Sequence, residues 1–291
     1  MKIYIVNDTS SFHAGSKAAM DSLRGKILSA GHEIIGSCPR LEEPDVDLLI
    51  ECDALIVNGE GTMRDEEKNW ETGRIEILMN FLLRAKLMKK KSYLINTVWC
   101  NMSSGWADTL KRLDQVTVRE PSSRDEMMKS GITPEVFLDL SYSCPIEGYR
   151  GIDFTGQTVI GSFYPKNTPD RVDHTHPLFK GMPRLGLGGS IDNYEIADWS
   201  VVINSLSTAN FYITGQHHGV YAACKARTPF VAIRVNTHKL TGLLRWAESD
   251  IPIAENGSQV KEIMDWAMTH KDSYERLFDW MEKQPSWELK L

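Results

Sequence analysis

Phe211-Tyr212-Ile213-Thr214-Gly215-Gln216-His217-His218-Gly219-Val220-Tyr221-Ala222-Ala223-Cys224 starts as a short apolar run, turns at a glycine, and continues in small residues. Phe211–Thr214 reads as a buried strand and His217–Lys225 as the helix that leaves it. The same unit recurs on both sides. Downstream, Phe230–Ile233 reads as strand and His238–Trp246 as helix, and Gln259–Glu282 reads as two closing helices. Immediately upstream, Thr158–Phe163 and Arg184–Leu187 read as strands and Trp199–Ser207 as a helix. In the first half, Lys2–Val6, His32–Ser37, Ala54–Val57, Tyr93–Thr97, Gln115–Val118 and Glu135–Leu138 read as strands. Helical stretches Ser16–Ala30, Ile75–Lys89 and Ser122–Lys129 separate several of them; Gly31 ends the first, and Lys89, Lys90 and Lys91 close the second. Strand–helix alternation of this kind builds a parallel sheet covered on both faces.

A turn-rich stretch, Ser143 to Gly156, interrupts the alternation before it restarts. The expected fold is α/β, with two Rossmann-like domains whose parallel sheets face a central cleft. Residues 1–145 would form the N-terminal, acceptor-side domain and residues 156–291 the C-terminal, donor-side domain with its closing helices. The length of 291 residues suits such a pair. The net charge of −6 gives no electrostatic footprint for nucleic acid or an anionic membrane, so nucleic acid is disfavoured as a partner. The longest apolar stretch, Ile77–Leu83, falls far short of the roughly 20 residues a bilayer span needs. The N-terminal run MKIYIVND is too short for a signal peptide. The five cysteines form no CxxC pair, which argues against a zinc knuckle or a disulfide framework and for a reducing, cytoplasmic setting. Eight tryptophans invite stacking on sugars or bases, although core and interface packing is the favoured account of such a number.

In open parallel sheets, ligands bind beyond the C-terminal ends of the strands, which singles out a few loops. Asn7-Asp8-Thr9-Ser10-Ser11-Phe12-His13-Ala14-Gly15 follows the first strand; Asp8, Ser10 and His13 are its candidate ligand groups, and an N-capping loop is the plain alternative. It is not a GxGxxG, so no dinucleotide fingerprint is present. Asn58-Gly59-Glu60-Gly61-Thr62 sets one carboxylate between two glycines, where Glu60 could act as a general base or bind sugar hydroxyls. Arg119, at a strand end before Glu120-Pro121-Ser122-Ser123, is placed to hold a carboxylate or phosphate, or else to pair with Glu120. At Gly215–Gly219, two adjacent histidines stand at a helix start that could receive an anion, and His218 is the preferred acid–base group. Adjacent helical residues diverge by about 100°, so His217 and His218 are not expected to hold one metal together. Asn236, His238 and Lys239 enter the following helix and form a possible anion clamp.

Taken in order, NDTSSFHAGS, VNGEGT, VREPSSRDEM, FLDLSY, TGQHHGVYAACKARTPFVAI and NTHKLTGLL resemble the polysaccharide pyruvyl transferase family. The resemblance covers most of the chain. It implies a two-domain fold similar to the GT-B glycosyltransferases, with no metal or other cofactor. It also implies transfer of a pyruvyl unit from phosphoenolpyruvate to a saccharide, forming a ketal. On matching positions, it gives His218 the acid–base role, Arg119 a place near the donor and Lys239 a place in the closing helix. The chain departs from the family pattern at Gln216, where an arginine is usual, and a neutral amide does not replace a guanidinium's charge. That departure keeps a second donor open, a nucleotide sugar with its phosphate at Gly215–Gly219 and Glu60 as base toward a glycan or other hydroxyl acceptor. A non-catalytic sugar- or nucleotide-binding protein is the third possibility.

Overall fold

The computed structural model describes residues 1–61, 63–64, 70–102, 104–163, 172, 175–189, 195–234 and 237–290. The first sheet grows from β-branched and aliphatic runs. Its strands are β1 (Lys2–Asp8), β2 (Glu33–Pro39), β3 (Ala54–Asn58), β4 (Lys91–Thr97), β5 (Gln115–Val118) and β6 (Glu135–Val136). They lie in the order β2-β1-β3-β4-β5-β6, and every pair is parallel. Each residue of β3 is buried, as a central strand requires when helices cover both faces. The helices of this part are α1 (Ala14–Ser29), α2 (Val46–Glu51), α3 (Trp70–Leu87), α4 (Ala107–Leu110) and α5 (Pro121–Met128). Pro121 opens α5, and the Glu120 carboxylate caps it by accepting the N–H groups of Ser122 and Ser123. Glu120 is therefore a buried cap and no surface partner of Arg119.

The second sheet holds β7 (Thr158–Ile160), β8 (Phe211–Thr214), β9 (Phe230–Ile233) and β10 (Ile253–Ala254), all parallel, in the order β10-β9-β8-β7. Its helices are α6 (Trp199–Leu206), α7 (His217–Lys225), α8 (Lys239–Trp246), α9 (Val260–Thr269) and α10 (Lys271–Glu282). Ile160, Ile213, Val231, Ile233 and Ala254 form its apolar core with Val260 and Ile263. Arg184–Leu187, expected as a strand, makes only one bridge, to Ile160. The ladder stops because the Leu187 N–H turns to Ser162 Oγ at 2.8 Å and its carbonyl accepts the Ala14 N–H at 3.0 Å.

The chain divides into two compact units. Unit 1 comprises Met1–Thr9, Met20–Leu140 and Pro285–Leu291; unit 2 comprises Ser10–Ala19 and Ser141–Gln284. The loop after β1 and the first residues of α1 thus belong to unit 2, while the C-terminal tail returns to unit 1, where Trp287 donates to Gln115 Oε1 at 3.3 Å. Trp99, Trp199 and Trp287 pack in the interior, while Trp106, Trp246, Trp266 and Trp280 are partly buried. Among the described residues, no helix is long and apolar enough to cross a membrane.

Candidate functional site

In unit 2 the passage from β8 into α7 is a tight turn held by polar contacts. Thr214 Oγ1 donates to the Ser162 carbonyl at 3.2 Å and accepts the Gln216 N–H at 3.1 Å. The Gly215 N–H bonds the same carbonyl at 3.0 Å. One turn into the helix, Gly219 lies so close to Thr214 that a Cβ there would overlap Oγ1 and come within 3.0 Å of the Thr214 Cβ and Cγ2. A glycine is needed for this approach, and it sets α7 directly on the end of β8. The first helical backbone bond runs from Val220 N–H to the Gln216 carbonyl, at 3.2 Å. The start of α7 is thus a helix N-terminus, with the partial positive charge that attracts anions.

Three imidazoles gather at this helix start. His217 and His218 are 3% and 4% exposed, and His13, from the loop after β1, is 2% exposed. The His13 and His218 rings meet edge to face with centroids 4.8 Å apart, and His217 lies 5.5 Å from His218 and 4.6 Å from Tyr221. Gly15 presses on His218 as closely as Gly219 does on Thr214: a Cβ at Gly15 would overlap His218 Cβ and Cγ. His13 Nδ1 accepts the Ser16 N–H at 3.2 Å, capping α1, and Nε2 lies 3.4 Å from Ser16 Oγ. Accepting that N–H leaves Nδ1 unprotonated, so neutral His13 carries its proton on Nε2. Within unit 2, then, the N-termini of α1 and α7 both close on His218. Sequence reading separated His13 from His218 by two hundred residues; the structure puts their rings in contact.

Of the other expected donor residues, His238 and Lys239 belong to unit 2 and Arg119 to unit 1. His238 precedes α8 and accepts the Gly242 N–H and the Thr241 hydroxyl on its carbonyl, and Lys239 opens that helix, half-buried. Asn236 lies outside the described residues. Arg234 is exposed and bridges Glu255 at 2.5 Å. The far end of α7 is anchored, with Lys225 Nζ donating to the Tyr142 carbonyl at 2.9 Å.

Unit 1 offers a second polar centre, at the C-terminal ends of β1, β3 and β4. The strand order switches between β1 and β3, with β2 added on one side and β3 on the other, the place where ligands enter parallel sheets of this kind. Asn7, Glu60 and Asn96 all have positive φ, at 65°, 30° and 54°. Asparagine tolerates that region better than most residues. Asn7 Nδ2 donates to the Asn58 carbonyl at 2.6 Å, and Asn58 Nδ2 reaches Thr9 Oγ1 at 3.1 Å and Glu60 Oε2 at 3.4 Å. Asn96 Nδ2 approaches Asn58 Oδ1 at 3.5 Å, and its own Oδ1 accepts the Leu140 N–H at 3.3 Å. Glu60 is buried at 5% exposure, and its carbonyl takes the Val98 N–H at 2.8 Å, while the Gly59 N–H bonds the Ile95 carbonyl at 2.8 Å. A Cβ at Gly61 would stand 4.0 Å from Arg119 Nη2, so the loop carrying Glu60 runs past that guanidinium. Arg119 is itself buried and ion-paired with the buried Asp139 carboxylate, so its charge is matched within unit 1. Asp8 pairs with Arg24 and accepts the Ser37 hydroxyl at 2.6 Å, holding the end of β1, and Ser10 is half-buried in the next turn. Sequence reading missed Asn7, Asn96 and Asp139. A visible signal marked the first two: the runs IVN, IVN and IN each close an apolar strand.

The profile of the polysaccharide pyruvyl transferase family matches residues 3–237. The chain belongs to this family. No curated protein matches the sequence. Solved structures match it at the level of fold. S. aureus MnaA, in a co-structure with UDP, aligns at TM-score 0.60 and 11% identity, over 96% of this chain and 90% of its own. A putative UDP-N-acetylglucosamine 2-epimerase from Listeria monocytogenes aligns at 0.59 and 11%, over 95% and 90%. The spinosyn rhamnosyltransferase SpnG, complexed with thymidine diphosphate, aligns at 0.54 and 12%, over 98% and 97%. This member of the polysaccharide pyruvyl transferase family thus has the α/β fold with parallel sheets of GT-B glycosyltransferases and related epimerases, and family and fold together indicate a transferase.

Proposed function

We propose that the protein transfers a pyruvyl unit from phosphoenolpyruvate to a saccharide diol. The observation that carries this reading is the convergence, within unit 2, of two helix N-termini and the buried imidazoles of His13 and His217 on buried His218. Such a centre suits an anionic donor beside an acid–base group. Two saccharide hydroxyls add to C2 of phosphoenolpyruvate, a proton is delivered to C3 and makes it a methyl, and phosphate leaves, giving a ketal. His218 is assigned the proton transfers. The switch point of unit 1, with Glu60, Asn58 and Thr9, suits hydroxyl recognition, and Glu60 is assigned to the acceptor. Lys239 and His238 are assigned supporting contacts to the donor phosphate. Five free thiols and the lack of a spanning helix among the described residues suit a cytoplasmic enzyme, and that location is part of the reading.

A second reading, glycosyl transfer from a nucleotide sugar, is favoured by the neutral Gln216 and by the UDP and thymidine diphosphate named with the neighbouring structures. The test is direct. The protein is incubated with phosphoenolpyruvate and a panel of methyl glycosides bearing free diols, and phosphate release is followed together with the ketal methyl signal by proton NMR. Both signals, lost in His218→Ala, are the expected result. Product formed only with nucleotide sugars establishes the second reading, and turnover of neither donor points to a binding protein.

A further inference from the structure

The second sheet ends at β7, and the chain from Thr175 to Arg184 bends around that edge within unit 2. Its course is fixed at several points. His176 Nδ1 accepts the Leu178 N–H at 3.4 Å, capping a short 3-10 turn over Pro177–Phe179. The N–H groups of Lys180 and Met182 return to the Pro177 and Phe179 carbonyls at 3.3 and 3.1 Å, and Gly181 makes the bend between them at a φ of 83°. The chain then joins the sheet: the Ile160 N–H bonds the Pro183 carbonyl at 2.9 Å, and the Leu185 N–H bonds the Ile160 carbonyl at 2.8 Å. Inside the bend, the buried Phe179 ring lies with its centroid 5.4 Å from Phe163 and 5.6 Å from His176.

This frame leaves a cavity of about 580 Å³, a size in the range that small-molecule sites occupy. Ile160, Pro177, Phe179 and Met182 give it apolar walls. Lys180 and Arg184, both exposed, bring two cations to it, and no carboxylate among the described residues lines it. None of the lining residues belongs to the start of α7. Phe163, which stacks on Phe179, is the ring that meets Gly215 at that turn, where a Cβ would stand 3.0 Å from it.

We infer that this cavity is a second ligand site of unit 2, for a phosphate ester with a hydrocarbon body. Lys180 and Arg184 take the phosphate, and Ile160, Pro177 and Met182 take the hydrocarbon. Charge and apolar surface together decide the class. Two cations with no opposing carboxylate on the walls favour an anion, and a guanidinium can hold two phosphate oxygens at once. A free phosphate leaves the apolar walls wet, and a neutral hydrocarbon leaves the cations idle. A nucleobase needs hydrogen-bonding groups along its edge, but the walls are mainly hydrocarbon and the Nδ1 of His176 is engaged by Leu178. The assignment is independent of the donor reading at α7.

Geranyl monophosphate, kept below its micelle-forming concentration, is titrated calorimetrically into the full chain, with geraniol, inorganic phosphate and UMP as comparisons. Wild type should bind one geranyl phosphate, more tightly than any comparison and more weakly as salt rises. Lys180→Gln combined with Arg184→Gln should weaken binding about tenfold and flatten the salt dependence, the sum of two exposed ion contacts. Met182→Trp, which fills the cavity from its wall, should abolish binding; if it does not fold, the exposed pair decides alone. His218→Ala should bind as wild type does. Absence of binding by wild type, unchanged affinity in the double variant, or inorganic phosphate, geraniol or UMP binding as tightly as geranyl phosphate overturns the inference. Loss of binding in His218→Ala also overturns it, since the ligand then sits at the start of α7. The pyruvyl reading stands or falls separately, by its own assay.

Discussion

Gly219→Ala tests the packing that sets α7 against β8. In a helix, alanine is favoured over glycine by about 1 kcal/mol, so propensity alone predicts stabilisation. The structure predicts the reverse. The added methyl overlaps Thr214 Oγ1 and meets its Cβ and Cγ2 at 3.0 Å, and Thr214 is fully buried. Overpacking of this kind costs about 1–3 kcal/mol. Displacing Thr214 also strains its bonds to the Ser162 carbonyl and the Gln216 N–H, each worth about 1 kcal/mol. After the helix gain is subtracted, the net loss is about 2–4 kcal/mol. For a chain of this size that is a fall in Tm of roughly 5–15 °C. Thermal and urea unfolding measure it, and a double-mutant cycle with Thr214→Ala isolates the cause. On the Thr214→Ala background the clashing atoms are gone, and Gly219→Ala should be neutral or stabilising. A single mutant as stable as wild type, or two mutations that simply add, would refute the packing argument.

Three further outcomes follow from buried and charged groups. Asp139→Asn leaves the buried Arg119 guanidinium without its counter-charge and should destabilise by about 3–5 kcal/mol, while Arg119→Met combined with Asp139→Leu should recover most of that in the same melts. Burial opposes ionisation of Asp114, but Lys86, the Ser92 N–H and Lys91 outweigh it and hold the carboxyl below its ordinary value of 3.8. Its contribution is therefore complete above that value and fades as pH falls through the lowered one; Asp114→Asn should cost under about 1 kcal/mol at pH 7 and less than that at pH 2, by urea titration at both. Complete burial pushes the Cys224 thiol far up, so native protein at pH 8 should leave Cys224 unalkylated by iodoacetamide while half-buried Cys100 reacts first, as read by peptide mass mapping.

The parallel α/β architecture was legible because its strands are apolar runs bounded by turn residues. Gln115–Val118, Phe211–Thr214 and Phe230–Ile233 form strands with the bounds their sequence indicates. Short elements escaped. The six residues of α2 show too little of a helical period to be read, although Asp45 caps it through the N–H groups of Asp47 and Leu48. Arg184–Leu187 has a strand's composition, but Ser162 and Ala14 take the polar groups of Leu187 that a ladder would need. Among the site residues, the histidine pair at the start of α7 stood out through its type and position. The contact of His13 with His218 did not, because no local pattern reports which distant loop packs on a helix start. Nor did spacing show that Arg119 is spoken for: its partner, Asp139, follows β6, twenty residues on.

Amide hydrogen exchange tests the central claim, that the start of α7 is where the donor binds. Exchange is followed across the chain with and without saturating phosphoenolpyruvate. The account predicts added protection at residues 216–219 and 13–16, abolished in His218→Ala. Protection confined to other segments, or seen with UDP and absent with phosphoenolpyruvate, would contradict it.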